Sequence, residues 1–163
     1  MTYHEVLIRL VAAVGVGALI GLDRELRHKP AGLRTMALVS LGSAVFVLTA
    51  VDSADGQSHD AASRAIQGVV TGVGFLGAGA ILRGDTEISV RGMTTAASIW
   101  LAAASGIACG LAQWALVATG VTLGLLVLVL APVERILHNR RKGDRPDGGT
   151  NSNAQNNNLS PGL

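Results

Sequence analysis

Apolar residues fall along this chain in long blocks: Val6 to Leu22, Met36 to Val51, Ala65 to Leu82, Thr94 to Ala112 and Trp114 to Val133. Short polar stretches separate them. At ~1.5 Å per residue, a helix of sixteen to twenty residues covers most or all of a hydrocarbon core of ~30 Å. Strands are a poor alternative, because lipid cannot satisfy an open sheet edge and no ten-residue alternation marks a closed barrel. The pattern predicts an all-α, polytopic membrane bundle of about five transmembrane helices.

Composition and charge extend that picture. The chain is 49% hydrophobic and only 15% charged, with a mean hydropathy of +0.44, too apolar for an ordinary soluble domain. Eleven of its thirteen basic residues fall on one side: Arg24, Arg27, Lys29 and Arg34 after the first block, Arg83 and Arg91 after the third, and Arg135, Arg140, Arg141, Lys142 and Arg145 after the fifth. The other side has Arg64, and Arg9 lies within the first block. The positive-inside rule then puts the N-terminus outside and the C-terminus in the cytoplasm. The leader MTYHE lacks the positive region of a cleaved signal peptide, so the first block is kept as a span. Residues 1–142 form the expected transmembrane domain. The Asn-rich stretch 143–163 reads as a disordered cytoplasmic tail.

Glycine spacing marks where the helices should meet. Helices in lipid associate through close backbone approach at small residues. Pairs four apart occur at Gly17 and Gly21, Gly68 and Gly72, Gly106 and Gly110, and Gly120 and Gly124. In the third block Gly68, Gly72 and Gly79 align, with Gly74 and Gly77 broadening the seam, which predicts the third helix as the crowded centre of the bundle. Gly72, Gly74 and Gly77 also match G-x-G-x-x-G. That motif binds a dinucleotide only after a strand, before a helix, and with an acidic residue about twenty positions on. There is no Asp or Glu between Glu87 and Glu134, so packing explains these glycines better.

An offset of sixty aligns Gly17–Ala44 with Gly77–Ala104 at eight of twenty-eight positions, including Gly17/Gly77, Gly32/Gly92, Thr35/Thr95 and Leu41/Leu101. This points to a duplicated helical hairpin whose halves run in the same direction, related by an axis along the membrane normal. Under the repeat, Thr35, Thr94 and Thr95 sit at equivalent helix starts, where their hydroxyls can cap first-turn amides.

Those starts lie beside a charge network of Asp23, Arg24, Glu25, Arg34, Asp85 and Arg91. Two readings stay open. Either the charges only anchor the loops at headgroups, or they form an anion, cation or partner site, since helix N-termini favour anions and carboxylates favour Mg²⁺. Arg9 is expected to snorkel outward and pair with Glu5. Trp100 should pack into the bundle or face lipid, and Trp114 should lie at an interface. Cys109 stands alone and reads as a small packing residue. Ser58, His59 and Asp60 are too close in sequence for triad geometry, and the four histidines show no metal-ligand spacing.

The ordered stretches RLVAAVGVGALIGLDREL, AGLRTMALVSLGS, GVVTGVGFLGAGAILR and VRGMTTAASIWLAAASGIACG together resemble the membrane domain of the MgtC/SapB family, over about Leu7 to Pro132. The resemblance implies a bacterial inner-membrane regulator linked to growth at low magnesium and to other membrane complexes. It does not by itself imply transport. Two departures are visible: DRE at Asp23 to Glu25 where the family usually has ERE, and a polar tail where many members carry a folded soluble domain. The expected function is a non-enzymatic accessory or regulatory protein, with a Mg²⁺ or other cation permease as the alternative. Expected partners are the lipid bilayer, a membrane protein, further copies of the chain and Mg²⁺, with no nucleic acid and no cofactor.

Overall fold

The computed structural model describes residues 1–52, 58–81 and 92–143, with side chains at 1–52, 60–81 and 92–130. Five α-helices account for them: α1 Tyr3–Leu26, α2 Leu33–Asp52, α3 Ser58–Ile81, α4 Met93–Gly110 and α5 Trp114–Gly143. The described residues contain no strand, so the all-α expectation holds. The first four helices are long and apolar enough to cross a membrane, and α5 has a shorter apolar stretch at Trp114–Leu130. The chain divides into two compact units, Met1–Val129 and Leu130–Leu163. The bundle described below is the first. Beyond Gly143, the expected tail lies outside the described residues.

At the two fully described connections, after α1 and after α4, the backbone reverses with a left-handed residue other than glycine. After α1, His28 takes φ 52°, while its N–H donates to Glu25 O and that of Lys29 donates to Arg24 O, both at 3.0 Å. After α4, Ala112 takes φ 55°, with Ala112 N–H on Cys109 O at 3.0 Å and Gln113 N–H on Ala108 O at 2.9 Å. Both are Schellman endings, with paired bonds that satisfy last-turn carbonyls. A left-handed residue other than glycine strains the backbone, so these two bonds are what hold each turn.

The centre of the bundle is α2 with α4, not α3 as the glycine pattern predicts. A Cβ placed on Gly17 of α1 would lie 2.5 Å from the Met36 carbonyl and 2.8 Å from Ser40 Cβ. One on Gly106 of α4 would overlap the Ser40 carbonyl, and one on Gly110 would lie 3.1 Å from the Ala44 carbonyl. Ser40 is thus gripped from both sides, at 0% exposure. On α3, Gly68, Gly72, Gly74 and Gly79 have nothing within 4 Å of such a Cβ, and Gly77 makes ordinary contact with Ala96 at 3.6 Å. The spacing of small residues allows close approach. It does not say which helix arrives.

Two hydrophobic clusters fill the interior. One joins Ile20, Met36, Val69, Val73, Ile99 and Ala102 to Leu128, drawing on all five helices. The other joins Ala13, Ala44, Ala108 and Cys109 to Val117 and Val121 of α5. Gly124 of α5 lies against the Leu101 side chain. Trp100 and Trp114 are both partly exposed, at 42% and 45%, and Trp100 also packs against Gly77 of α3.

The duplicated hairpin appears in the packing. Contacts join α1 with α2, α3 with α4, α1 with α4, α2 with α3 and α2 with α4, and none joins α1 to α3 among the described residues. Exchanging α1 with α3 and α2 with α4 leaves that pattern unchanged. Local contacts agree: Gly17 lies on Met36 and Ser40, while Gly77 lies on Ala96 and Trp100, each sixty positions later. Near the turns, Gly21 meets Leu33 and Gly32, and Ile81 meets Gly92.

Candidate functional site

At the α1–α2 turn the residues Asp23, Arg24 and Glu25 point three ways. Successive positions on a helix are about 100° apart, so three neighbours cannot share a face. Asp23 accepts from Arg27 Nε at 2.8 Å along its own helix. Arg24 turns inward and is only 3% exposed. Its Nη2 donates to Thr95 Oγ1 of α4 and to the Pro30 carbonyl at 3.4 Å. Glu25 turns toward α2, where its Oε2 accepts from the Leu33 amide at 3.1 Å. The segment ties α1 to both α2 and α4.

This arrangement corrects the expected helix caps. Helix α2 opens at Leu33 and the Gly32 carbonyl accepts its first bond, from Met36 N–H at 3.1 Å. Thr35 is then already inside the first turn and exposed, and the Glu25 carboxylate takes the acceptor role instead. At α4 the cap is Gly92, with φ 102° and no side-chain cap bond. A Cβ there would overlap the Ala80 carbonyl, so close approach of α3 excludes the usual capping side chains. Thr94 is exposed, and Thr95 is buried with its hydroxyl on Arg24. Arg34 is exposed on the first turn of α2. Asp85 and Arg91 lie outside the described residues.

The opposite end of α1 holds a contact that sequence reasoning missed. Arg9 does not pair with Glu5, whose Oε2 accepts the Thr2 amide at 3.0 Å. Arg9 Nη1 instead donates to the Gly110 carbonyl at 3.0 Å, at the last turn of α4. A cation is favoured there because unpaired carbonyls and the helix dipole are both negative. The Gly106–Gly110 pair marks the end of a helix but not which arginine reaches it.

Other polar groups in the bundle are spent within their own helices. The hydroxyls of Ser43, Ser98 and Ser105 donate to the carbonyls of Val39, Thr94 and Leu101 at 2.7–2.8 Å. Ser40 Oγ and Arg24 Nε are buried without a hydrogen-bond partner. Among the described residues no group of three or more His, Cys, Asp or Glu is placed to hold a metal ion.

The MgtC family model matches residues 10–136. The chain is 43% identical over 138 residues to Protein MgtC of Salmonella typhimurium, covering 83% of this chain and 57% of that protein. It is 49% identical over 127 residues to Protein SrpB of Synechococcus elongatus, covering 71% and 69%. To the putative magnesium transporter YhiD of Escherichia coli it is 45% identical over 131 residues, covering 76% and 59%. The chain thus spans somewhat more than half the length of the Salmonella and Escherichia relatives. No solved structure matches. The match runs from within α1 into α5 and takes in the Asp23–Glu25 segment and Thr95 in the first turn of α4, and the chain belongs to the MgtC family.

Proposed function

We propose that this protein is a non-enzymatic accessory or regulatory component of a bacterial cytoplasmic membrane, tied to magnesium or other ion homeostasis and acting on a membrane-protein partner. The reading places the N-terminus outside and the two hairpin turns in the cytoplasm. One observation supports it above the rest: among the described residues most buried polar side chains already hold a protein partner, with Ser40 Oγ and Arg24 Nε the buried side-chain atoms left without one. Arg24 links α1 to α4, and three of the buried serines bond back to their own helices. A permeation path instead needs polar groups free to exchange an ion's water.

The second reading, a cation transporter, is favoured by the name of the Escherichia coli relative, a putative magnesium transporter. Reconstitution separates the two. In liposomes containing only this chain, Mg²⁺ uptake is expected to match protein-free vesicles, while cross-linking in native membranes captures a stoichiometric partner. Uptake well above background, abolished by Asp23→Asn with Glu25→Gln, would replace the accessory reading with the transporter.

A further inference from the structure

We infer that the buried guanidinium of Arg24, with the first turn of α4, forms a binding site for a phosphate-type oxyanion, carried by an anionic phospholipid headgroup or by free phosphate. Arg24 is 3% exposed, and its Nε has no hydrogen-bond partner. The groups that meet its Nη2, Thr95 Oγ1 and the Pro30 carbonyl, are neutral acceptors. Among the described residues no carboxylate is in ion-pair contact with it; the adjacent Asp23, bonded to Arg27, offsets its charge only through space. A cation removed from water needs an anion or a full set of acceptors to offset its lost hydration. The three atoms of this fork are not all supplied.

Its position increases the need. The Thr95 bond holds the guanidinium at the first turn of α4. There the aligned peptide dipoles already amount to roughly half a positive charge. The amides of that turn have no side-chain cap. None can be added at the cap itself, because the Ala80 carbonyl leaves room only for glycine at Gly92. Arg9, at the other end of the same helix, meets carbonyls that welcome a cation. Arg24 is held by Thr95 at the opposite end, where the helix dipole disfavours a further positive charge. An oxyanion answers both demands at once, accepting from the guanidinium and from the helix N-terminus. The site lies where α1 ends and α4 begins, at the level where phosphate headgroups meet a bilayer-spanning helix. The inference does not rest on the accessory reading and holds equally for a transporter.

The test uses the full chain in nanodiscs of zwitterionic phosphatidylcholine, with thermal unfolding followed under three conditions: inorganic phosphate, chloride at equal ionic strength, and nanodiscs containing phosphatidylglycerol. Phosphatidylglycerol or phosphate is expected to raise Tm in the wild type and in Arg64→Gln, which removes an exposed arginine from the other end of the bundle. In Arg24→Gln the concentration needed should rise about tenfold or more, the loss of a charge-assisted bond. A response to phosphatidylglycerol alone assigns the headgroup, and a response to inorganic phosphate assigns the free ion. Equal response of Arg24→Gln and wild type, or no response to either anion, overturns the site. So does an intramolecular counter-charge, read as an equal loss of Tm in Asp85→Asn or Glu87→Gln with no response to anions. Should Arg24→Gln fail to fold, native mass spectrometry of the wild type decides, with preferential retention of phosphatidylglycerol or phosphate expected and its absence overturning the proposal.

Discussion

Helices α1 and α3 occupy equivalent places in the two hairpins yet use their glycines differently. On α1, Gly17 and Gly21 are pressed against the backbone of α2, with virtual Cβ distances of 2.5 Å at each. On α3, Gly77 is the counterpart of Gly17 and makes a looser contact, while Gly68, Gly72, Gly74 and Gly79 face open space. These four have no glycine counterpart in α1, where positions 8, 12, 14 and 19 are Ile, Ala, Val and Leu. Where the repeat is kept, glycine serves contact within the hairpin. Where α3 departs from it, the small residues leave an outward face, beside Phe75 at 82% exposure.

The largest effect that tests this contrast is expected at the centre both hairpins share. Gly106→Ala forces a methyl group into the Ser40 carbonyl, and should lower stability by about 3 kcal/mol, read as loss of folded protein in detergent titration. Gly17→Ala meets the Met36 carbonyl in the same way, with an expected cost of about 1–3 kcal/mol by the same measurement. Arg9 sharpens the comparison, because the equivalent position on α3 is the buried Val69. Arg9→Met removes a charge-assisted bond to the Gly110 carbonyl, and should lower stability by about 1 kcal/mol. Gly72→Ala should have the smallest effect, neutral or stabilising by up to about 1 kcal/mol, since alanine favours a helix and nothing stands in its way. If Gly72→Ala in native membranes costs as much as Gly17→Ala, the outward face of α3 is covered there and the contrast fails.

Much of the fold was legible because membrane helices declare themselves by length and polarity. Each apolar block falls on one of the five helices, although α3 begins earlier at Ser58 and α5 runs on to Gly143, and the contacts of Gly17 and Gly77 lie sixty positions apart. Their starts were less clear. Leu33 and Arg34 read as loop because a charge interrupts the apolar run, yet Glu25 supplies the acceptor that lets α2 begin there. The candidate site was legible as a place but not as an arrangement. Asp23, Arg24 and Glu25 stand together in sequence and diverge in space, and the inward turn of Arg24 depends on Thr95, seventy-one positions away. Arg9 posed the same difficulty, since its acceptor is a backbone carbonyl and carbonyls leave no trace in sequence. For Gly68, Gly72 and Gly79 the pattern reported an opportunity for contact, and only the folded chain shows that α2 and α4 do not take it.

The grip on Ser40 has a consequence for biogenesis. Its first jaw, Gly17, leaves the ribosome before it, but the second, Gly106, follows sixty-six residues later. During synthesis the first hairpin therefore waits in the bilayer with one flank of α2 bare, the one that carries the Ser40 carbonyl. That interval is when an insertase or a passing helix with a small-residue flank competes for the vacant side, and arrival of α4 ends the contest.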